Sequence, residues 1–592
     1  DLRMSRGLGD VYKRQVISTT ITLVAVFFPI VFMDGTTGRL FREFSIVVSG
    51  SVIISSFAAL TFTPMLATKL LIKREQQSWF YRKTEPFFEG MNRVYSQSLA
   101  AFLKRRWIAL PFTIVTILLI GVLWNTIPAE MAPLEDRSQI SINTMGAEGV
   151  TYEYIRDYTE DINHLVDSII PDAEAVTARV SSGSGNVRIT LKDMKDRDYT
   201  QMEVAEKLSK AVQKKTMARS FVQQSSSFGG RRGGMPVQYV LQATNIEKLQ
   251  EVLPKFMTKV YENPVFQMAD VNLKFSKPEA RININRDKAS IMGVSTKNIA
   301  QTLQYGLSGQ RMGYFYMNGK QYEILGEINR QQRNKPADLK GIYIRSDNGN
   351  MVQLDNLIEL TGGIAPPKLY RYNRFVSATI SAGLADGKTI GQGLDEMDKI
   401  AKETLDETFR TALTGDSKEY RESSSSLMFA FILAIVLIYL ILAAQFESFK
   451  DPLIIMLTVP LAIAGALVFM YFGDITMNIF SQIGIIMLIG LVAKNGILIV
   501  EFANQKQEAG EDKMRAIKDA SLQRLRPILM TSASTILGLI PLAFATGEGC
   551  NQRIAMGTAV VGGMLISTLL TMYIVPAIYS YVSTNRSKLK TE

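Results

Sequence analysis

Cysteine and histidine are almost missing: Cys550 and His164 are the single examples in 592 residues. Their scarcity excludes an internal disulfide, a Cys/His zinc cage and a multi-histidine metal site, and leaves one candidate for nucleophilic catalysis through histidine. Charge is thin as well, at 20% of residues, and unevenly spread. The balance of 66 Lys+Arg against 55 Asp+Glu leaves a net charge of +11. What is plentiful is apolar: 47% of residues are hydrophobic, which excludes a disordered or collagen-like chain. The mean hydropathy of +0.08 averages long uncharged stretches with one very polar block, and the length requires several domains.

A helix that crosses the roughly 30 Å hydrocarbon core needs about 20 apolar residues at about 1.5 Å rise each. Eight segments qualify: Val16 to Met33, Phe44 to Thr68, Ile108 to Ile127, Ser423 to Phe446, Pro452 to Gly473, Ile475 to Val500, Pro527 to Gly547 and Ile554 to Asn585. Seven hold no acidic or basic side chain, and the sixth holds Lys494. Residues 69 to 106 carry nine Lys/Arg against three acids, the connection Phe502 to Arg526 carries six basic residues, and the tail after Ser583 carries three. Basic loops stay cytoplasmic, so the block Pro128 to Glu422 lies on the other side.

In the connector 72–107, Phe87, Phe88, Met91, Val94, Tyr95, Leu99, Phe102 and Leu103 recur at helical spacing ahead of Lys104, Arg105 and Arg106. That pattern suits an amphipathic helix in the membrane interface or one packed on another domain. Residues 1–15 are polar and basic, lack the apolar core of a signal peptide, and read as a non-native leader, with the protein expected to continue upstream. A shift of 512 residues lays Pro29 on Pro541, Phe32 on Phe544, Gly35 on Gly547 and Pro64 on Pro576 without a gap. The agreement reads as an internal repeat: 16–71 would be the last two spans of a first half, followed by a six-span second half.

The external block alternates strand-like runs (Gln139 to Thr144, Val187 to Leu191, Gln238 to Gln242, Arg281 to Arg286) with helical ones (Tyr152 to Ile169, Met202 to Val212, Ile246 to Val260, Thr296 to Tyr305). This is the pattern of α+β units in which helices cover a sheet. Ser225 to Gly234, with two adjacent arginines, reads as a linker. No aromatic-basic platform accompanies the positive charge, which argues against nucleic acid as a partner.

An ionisable residue inside a span is costly and marks function by default. Lys494 fits that rule; it also lies six residues before Val500, within reach of snorkelling to the cytoplasmic boundary. Both readings stand at this level. Burial would strip the proton from a lysine lacking a carboxylate neighbour, and none of the eight segments contains Asp or Glu. Asn495 and Thr531 could extend a polar relay, or merely satisfy backbone groups. Arg524 and Arg526 read first as a positive-inside anchor.

Three stretches carry a resemblance. Ala443-Ala444-Gln445-Phe446-Glu447-Ser448-Phe449, with Asp451-Pro452-Leu453 and Val459-Pro460-Leu461, resembles the turn between spans eight and nine of the resistance-nodulation-division (RND) exporters. Gly490 to Phe502 resembles their tenth span, and Arg524 to Thr531 the start of the eleventh. The resemblance implies an α-helical membrane bundle, with eight of twelve spans present, plus α+β periplasmic porter and docking subdomains. It would divide the chain into spans five and six (16–71), the connector, span seven (108–127), porter subdomains (128–279), a docking subdomain (280–376), a porter return (377–422), spans eight to twelve (423–585) and a cytoplasmic tail (586–592).

By the same resemblance the chain belongs to the hydrophobe/amphiphile branch: an inner-membrane homotrimer that antiports protons, takes up small amphiphilic molecules and works with a periplasmic adaptor and an outer-membrane channel. It would be a transporter in contact with membrane lipid, with no cofactor and no enzymatic site. The proton relay would comprise Lys494, Asn495, Thr531 and Arg524, with two aspartates of an absent fourth span as partners of Lys494. The stretch Val176 to Arg188 takes the place of a glycine-rich switch loop but is shorter, polar and basic, with Thr177, Arg179, Ser182 and Arg188 as substrate-binding candidates. Metal-exporting relatives bind through methionine; Met145, Met194 and Met235 lie in the same subdomains and read as packing residues. A membrane-anchored binding or sensing protein of the same architecture is the rival reading.

Overall fold

The computed structural model describes residues 2–33, 35–70, 79–224, 235–366, 368–385 and 387–584; the side chains of 2–15 are outside that description, as are the proposed linker 225–234 and the tail 586–592. The chain opens with α1 (Leu2–Val31) and α2 (Gly35–Leu70). α1 runs back without a break through the segment read as a leader. Helix α3 (Trp79–Lys104) follows, and a single 3-10 turn at Arg106–Ile108 bends the chain into α4 (Ala109–Thr126). Tyr95, Leu99 and Leu103 of α3 are buried, whereas Phe87 and Val94 point outward. One face of the helix thus packs on the bundle, as the second alternative has it. It is fastened to the bundle by Tyr95 Oη donating to the Met572 carbonyl at 2.7 Å and by the Arg526–Glu85 ion pair at 3.3 Å, while its remaining apolar side chains stay open.

The α+β block begins with β1 (Gln139–Met145), α5 (Tyr152–Ile169), β2 (Ala175–Ser181), β3 (Ser184–Thr190), α6 (Gln201–Gln213) and β4 (Arg219–Gln224). They form an antiparallel sheet of order β2-β3-β1-β4. Alternation places Ile140, Ile142, Val187 and Ile189 on one face, where Tyr158, Ile162, Val166 and Leu208 of the two helices cover them. Thr151 and Thr200 cap the helices by accepting from Tyr154 N and Glu203 N.

A second unit starts with β5 (Val237–Ala243), α7 (Ile246–Glu262) and β6 (Phe266–Val271). The chain then leaves through β7 (Lys277–Ile284) into α8 (Arg286–Ile291), α9 (Thr296–Ser308), the hairpin β8 (Gln310–Met317) and β9 (Lys320–Gly326), and the pair β10 (Tyr343–Arg345) and β11 (Met351–Gln353). It returns on β12 (Ile358–Ala365), antiparallel to β7. β13 (Arg371–Tyr372), β14 (Phe375–Leu384), α10 (Ile390–Thr404) and β15 (Arg410–Leu413) complete a five-stranded sheet in which β14 and β5 are central.

Five helices finish the bundle: α11 (Gly415–Phe446), the pair α12 (Lys450–Met456) and α13 (Thr458–Phe472), α14 (Ile479–Glu508), α15 (Lys513–Ala543) and α16 (Cys550–Val582), the pair counting as one span. Among the described residues, seven helical stretches are long and apolar enough to cross a membrane, and the described apolar part of α1, Val16–Val31, is shorter. The span expected over Pro452 to Gly473 is interrupted after Met456, because Pro460 has no N–H to offer that carbonyl. The span expected from Ile475 starts at Ile479 instead. Asn478 caps it, its side chain accepting from Phe480 N and Ser481 N at 3.0 Å.

Two joints tie the α+β units to the bundle. Residues 128–131 run beside 477–479, with Met477 N donating to the Pro128 carbonyl at 2.8 Å and Glu130 N to the Met477 carbonyl at 3.0 Å. The other joint is α11 itself, whose first turn is held in the second sheet by Ser417, its hydroxyl donating to the Pro236 carbonyl at 3.1 Å and accepting from Gln238 N at 2.8 Å.

Candidate functional site

Helix α14 is buried on nearly every side, and the exception is a stripe through Met487, Leu491, Lys494, Glu501 and Gln505. These positions are spaced by three, four or seven residues, so they share one face. Gly490 locates a neighbour of that face: a Cβ there would lie 3.0 Å from the Val26 side chain of α1. The two helices are antiparallel, since Phe41, in the first turns of α2 beyond the end of α1, meets Phe480 at the start of α14 with ring centroids 5.9 Å apart. Lys494 lies one turn further toward the basic-loop side. It is half-buried, and no charged group among the described residues acts on it. Glu501, on the same stripe, is seven residues away, about 10 Å along the axis and too far to pair.

Asn495 points away from Lys494, into the bundle. Its side-chain amide donates to Ser532 Oγ at 3.3 Å and reaches Thr568 Oγ1 at 3.5 Å, while the Thr568 hydroxyl donates to Ser532 at 3.2 Å. That triangle joins α14, α15 and α16. Thr531 is outside it, its hydroxyl returning to the Ile528 carbonyl at 3.2 Å. Arg524 stacks on Phe502, its guanidinium carbon 4.5 Å from the ring centroid, within electrostatic reach of Glu501. The four relay candidates thus fall into separate groups, with Asn495 in one network, Thr531 bonded within its own helix, Arg524 near Glu501, and Lys494 on the open stripe apart from the other three.

A second buried network lies nearer the basic loops. Asn504 Nδ2 donates to Asp451 Oδ2 at 3.0 Å, Tyr579 Oη donates to Asn504 Oδ1 at 2.5 Å, and Gln507 Nε2 donates to Tyr579 Oη at 2.7 Å. All four side chains are buried. At the opposite end, burial pushes the Glu130 carboxyl above its ordinary value, against a restraining hydrogen bond from the Thr476 hydroxyl.

In the α+β block, Val176 to Arg188 is a β-hairpin, not an irregular loop. Thr177 pairs with Arg188 and Arg179 with Asn186, and Ser182 sits in the tight turn. Thr177, Arg179 and Arg188 lie on the exposed face, opposite the one α5 and α6 cover. On this face Asn186 donates to Asn143 Oδ1 and Asn143 to Gln223 Oε1, each at 2.8 Å, an amide ladder across three strands. The methionines divide: Met235 is buried as a packing residue, but Met145 and Met194 are 37% and 36% exposed, because each lies at an element's edge.

The model of the AcrB/AcrD/AcrF family matches residues 4–583. The chain belongs to that family of RND permeases. It is 31% identical over 584 residues to an uncharacterized transporter of Haemophilus influenzae, the match covering 97% of this chain and 57% of the relative. The chain thus spans little more than half the length of that curated relative. Like other RND permeases it is a multi-pass membrane protein.

Three residues of this RND chain escaped sequence reasoning. Ser532 and Thr568 carry the Asn495 network, yet hydroxyls abound in these helices and nothing in the sequence singles them out. Glu501 was legible in principle, since it stands seven residues after Lys494 and so on the same helical face.

Proposed function

We propose that the protein is a protomer of an exporter driven by the proton-motive force. It would carry small amphiphilic molecules from the periplasm or the inner membrane toward an outer-membrane channel, as a homotrimer with a periplasmic adaptor. The observation that carries this reading is Lys494, half-buried in a membrane helix on a stripe where no described residue offers it a carboxylate. A carboxylate from a span outside this chain would complete the pair, and the curated relative is long enough to hold more spans. Each elementary charge crossing the membrane is worth about 2.3 kcal/mol per 100 mV. Protonation of the acid would release Lys494 and shift α14 if the two charge states favour different packings.

The joints give such a shift somewhere to go. α14 begins at the strand 128–131 that feeds the first external sheet, and α11 rises into the second. On this reading the two sheet units are porter subdomains and the block between β7 and β12 is the docking subdomain. The hairpin β8–β9 exposes Met312, Tyr316 and Leu325, an apolar surface that suits contact between protomers. Thr177, Arg179, Ser182 and Arg188 would meet the substrate. The test is Lys494→Ala and Lys494→Arg in the parent protein, each reconstituted for substrate export and proton flux. Export and flux should fall at least tenfold in the alanine variant. Unchanged values for both would overturn the reading, and retained ligand binding without transport would favour a sensing protein of the same architecture.

A further inference from the structure

Four elements distant in sequence converge where α3 bends into α4 on the basic-loop side of the bundle. Arg106, in the bend, donates to Ser580 Oγ at 3.2 Å, lies 3.8 Å from Met514 Sδ and stacks over Tyr581 at 4.5 Å. Lys513, opening α15, donates to the Ser583 carbonyl at 2.5 Å, at the end of α16. Lys450, opening α12, is close enough for its charge, like that of Arg106, to act on Lys513. The acid that acts on the same group is Asp451, already engaged by Asn504, while Asp512 is occupied in capping α15 through Met514 N. Three cations therefore gather around Lys513 with one buried acid acting on it, and Arg106 and Lys513 are held in place by their contacts with α16.

The surroundings say what would neutralise them. Beside Arg106, Trp107 is 64% exposed, and Leu110 and Ile114 of α4 continue an open apolar face away from the cluster. Exposed Tyr581 and Val582 flank it on α16. An amphipathic aromatic beside a lipid-facing helix marks the headgroup level, and basic pockets between membrane helices at that level bind anionic headgroups. A free anion would satisfy the cations but not the apolar wall.

We propose that Arg106 and Lys513, with Lys450 at the rim, hold the phosphodiester headgroup of an anionic phospholipid whose acyl chains lie along α4. The site owes nothing to Lys494 and stands or falls separately from proton coupling. The test is native mass spectrometry of the purified chain with phosphatidylglycerol or phosphatidylcholine added, alongside thermal unfolding in each lipid. The wild-type chain should retain phosphatidylglycerol selectively and unfold at higher temperature with it. Arg106→Gln or Lys513→Gln should weaken retention about fivefold, and the pair together about thirtyfold. Arg515→Gln, an exposed charge outside the cluster, should change nothing. Equal retention of phosphatidylcholine, undiminished retention in the double variant, or full stabilisation by inorganic phosphate alone would overturn the assignment. If the double variant does not fold, the wild-type preference between the two lipids and its survival in R106K/K513R decide the matter.

Discussion

The hairpins α1–α2 and α15–α16 are built to one plan and used in two ways. Each pairs a helix that ends shortly after a proline, Pro29 or Pro541, with a second helix that runs through an internal proline, Pro64 or Pro576. Gly35 and Gly547 in the turns adopt φ of +84° and +89°, and Phe32 and Phe544 beside them both stand exposed. Yet α2 presents Ile54 and Phe57 to the outside, 71% and 69% exposed, while α16 is a central helix with Val575 and Tyr579 fully buried. Apolarity does not separate them, since both are apolar enough to span. Small residues do. A Cβ on Gly563 would fall 2.1 Å from Leu488 Cδ2 and 2.9 Å from the Ala462 carbonyl oxygen, whereas one on Gly50 of α2 would meet nothing within 4 Å. Without a hydrophobic drive between helices in lipid, close backbone approach decides which helix goes inside.

The contrast breaks most visibly at Gly563. Gly563→Leu should cost about 3 kcal/mol, at the upper end for overpacking, because one obstacle is backbone and cannot turn aside. Gly50→Leu meets no neighbour and should cost no stability in thermal unfolding in detergent, gaining up to about 1 kcal/mol as a better helix former. Similar losses in both would mean that α2 is as tightly enclosed as α16.

The turns offer an intermediate effect and sharpen the repeat itself. Gly35→Ala and Gly547→Ala meet no steric neighbour, so the cost is that of holding an L side chain in the left-handed region, about 1 kcal/mol. The two substitutions should lower stability equally in the same unfolding assay. A clear inequality would show that the common geometry hides different strain.

The repeat was legible because prolines and left-handed glycines leave marks at fixed spacing, and the spans because lipid demands length and apolarity. The α+β character of the external block was legible from alternation at Ile140–Ile142 and Val187–Ile189. The candidate site was legible only as single residues. Lys494 declares itself by its charge, but that Asn495 bonds Ser532 and Thr568 while Lys494 faces the other way depends on how three helices rotate, and residue type does not fix rotation. Asp451 stands in a recognisable motif, but its chemistry depends on Asn504 and, through it, Tyr579, from helices far along the chain.

The smallest effect tests which role α2 has in the assembled protein. Where a helix is open, replacing glycine by alanine removes backbone freedom from the unfolded chain and adds no contact. Gly50→Ala should therefore raise stability by about 0.5 to 1 kcal/mol. The same change at Gly557 of α16 sets a Cβ 2.5 Å from the Ala543 backbone nitrogen and should do the opposite. Measured on this chain in detergent, Gly50→Ala reports α2 with its outer face bare. Measured in the longer parent, a gain of the same size means that the face meets only lipid, and a loss means that another span packs there closely enough to need the missing Cβ. The sign at one glycine thus separates a helix on the rim of the bundle from one at a protein contact.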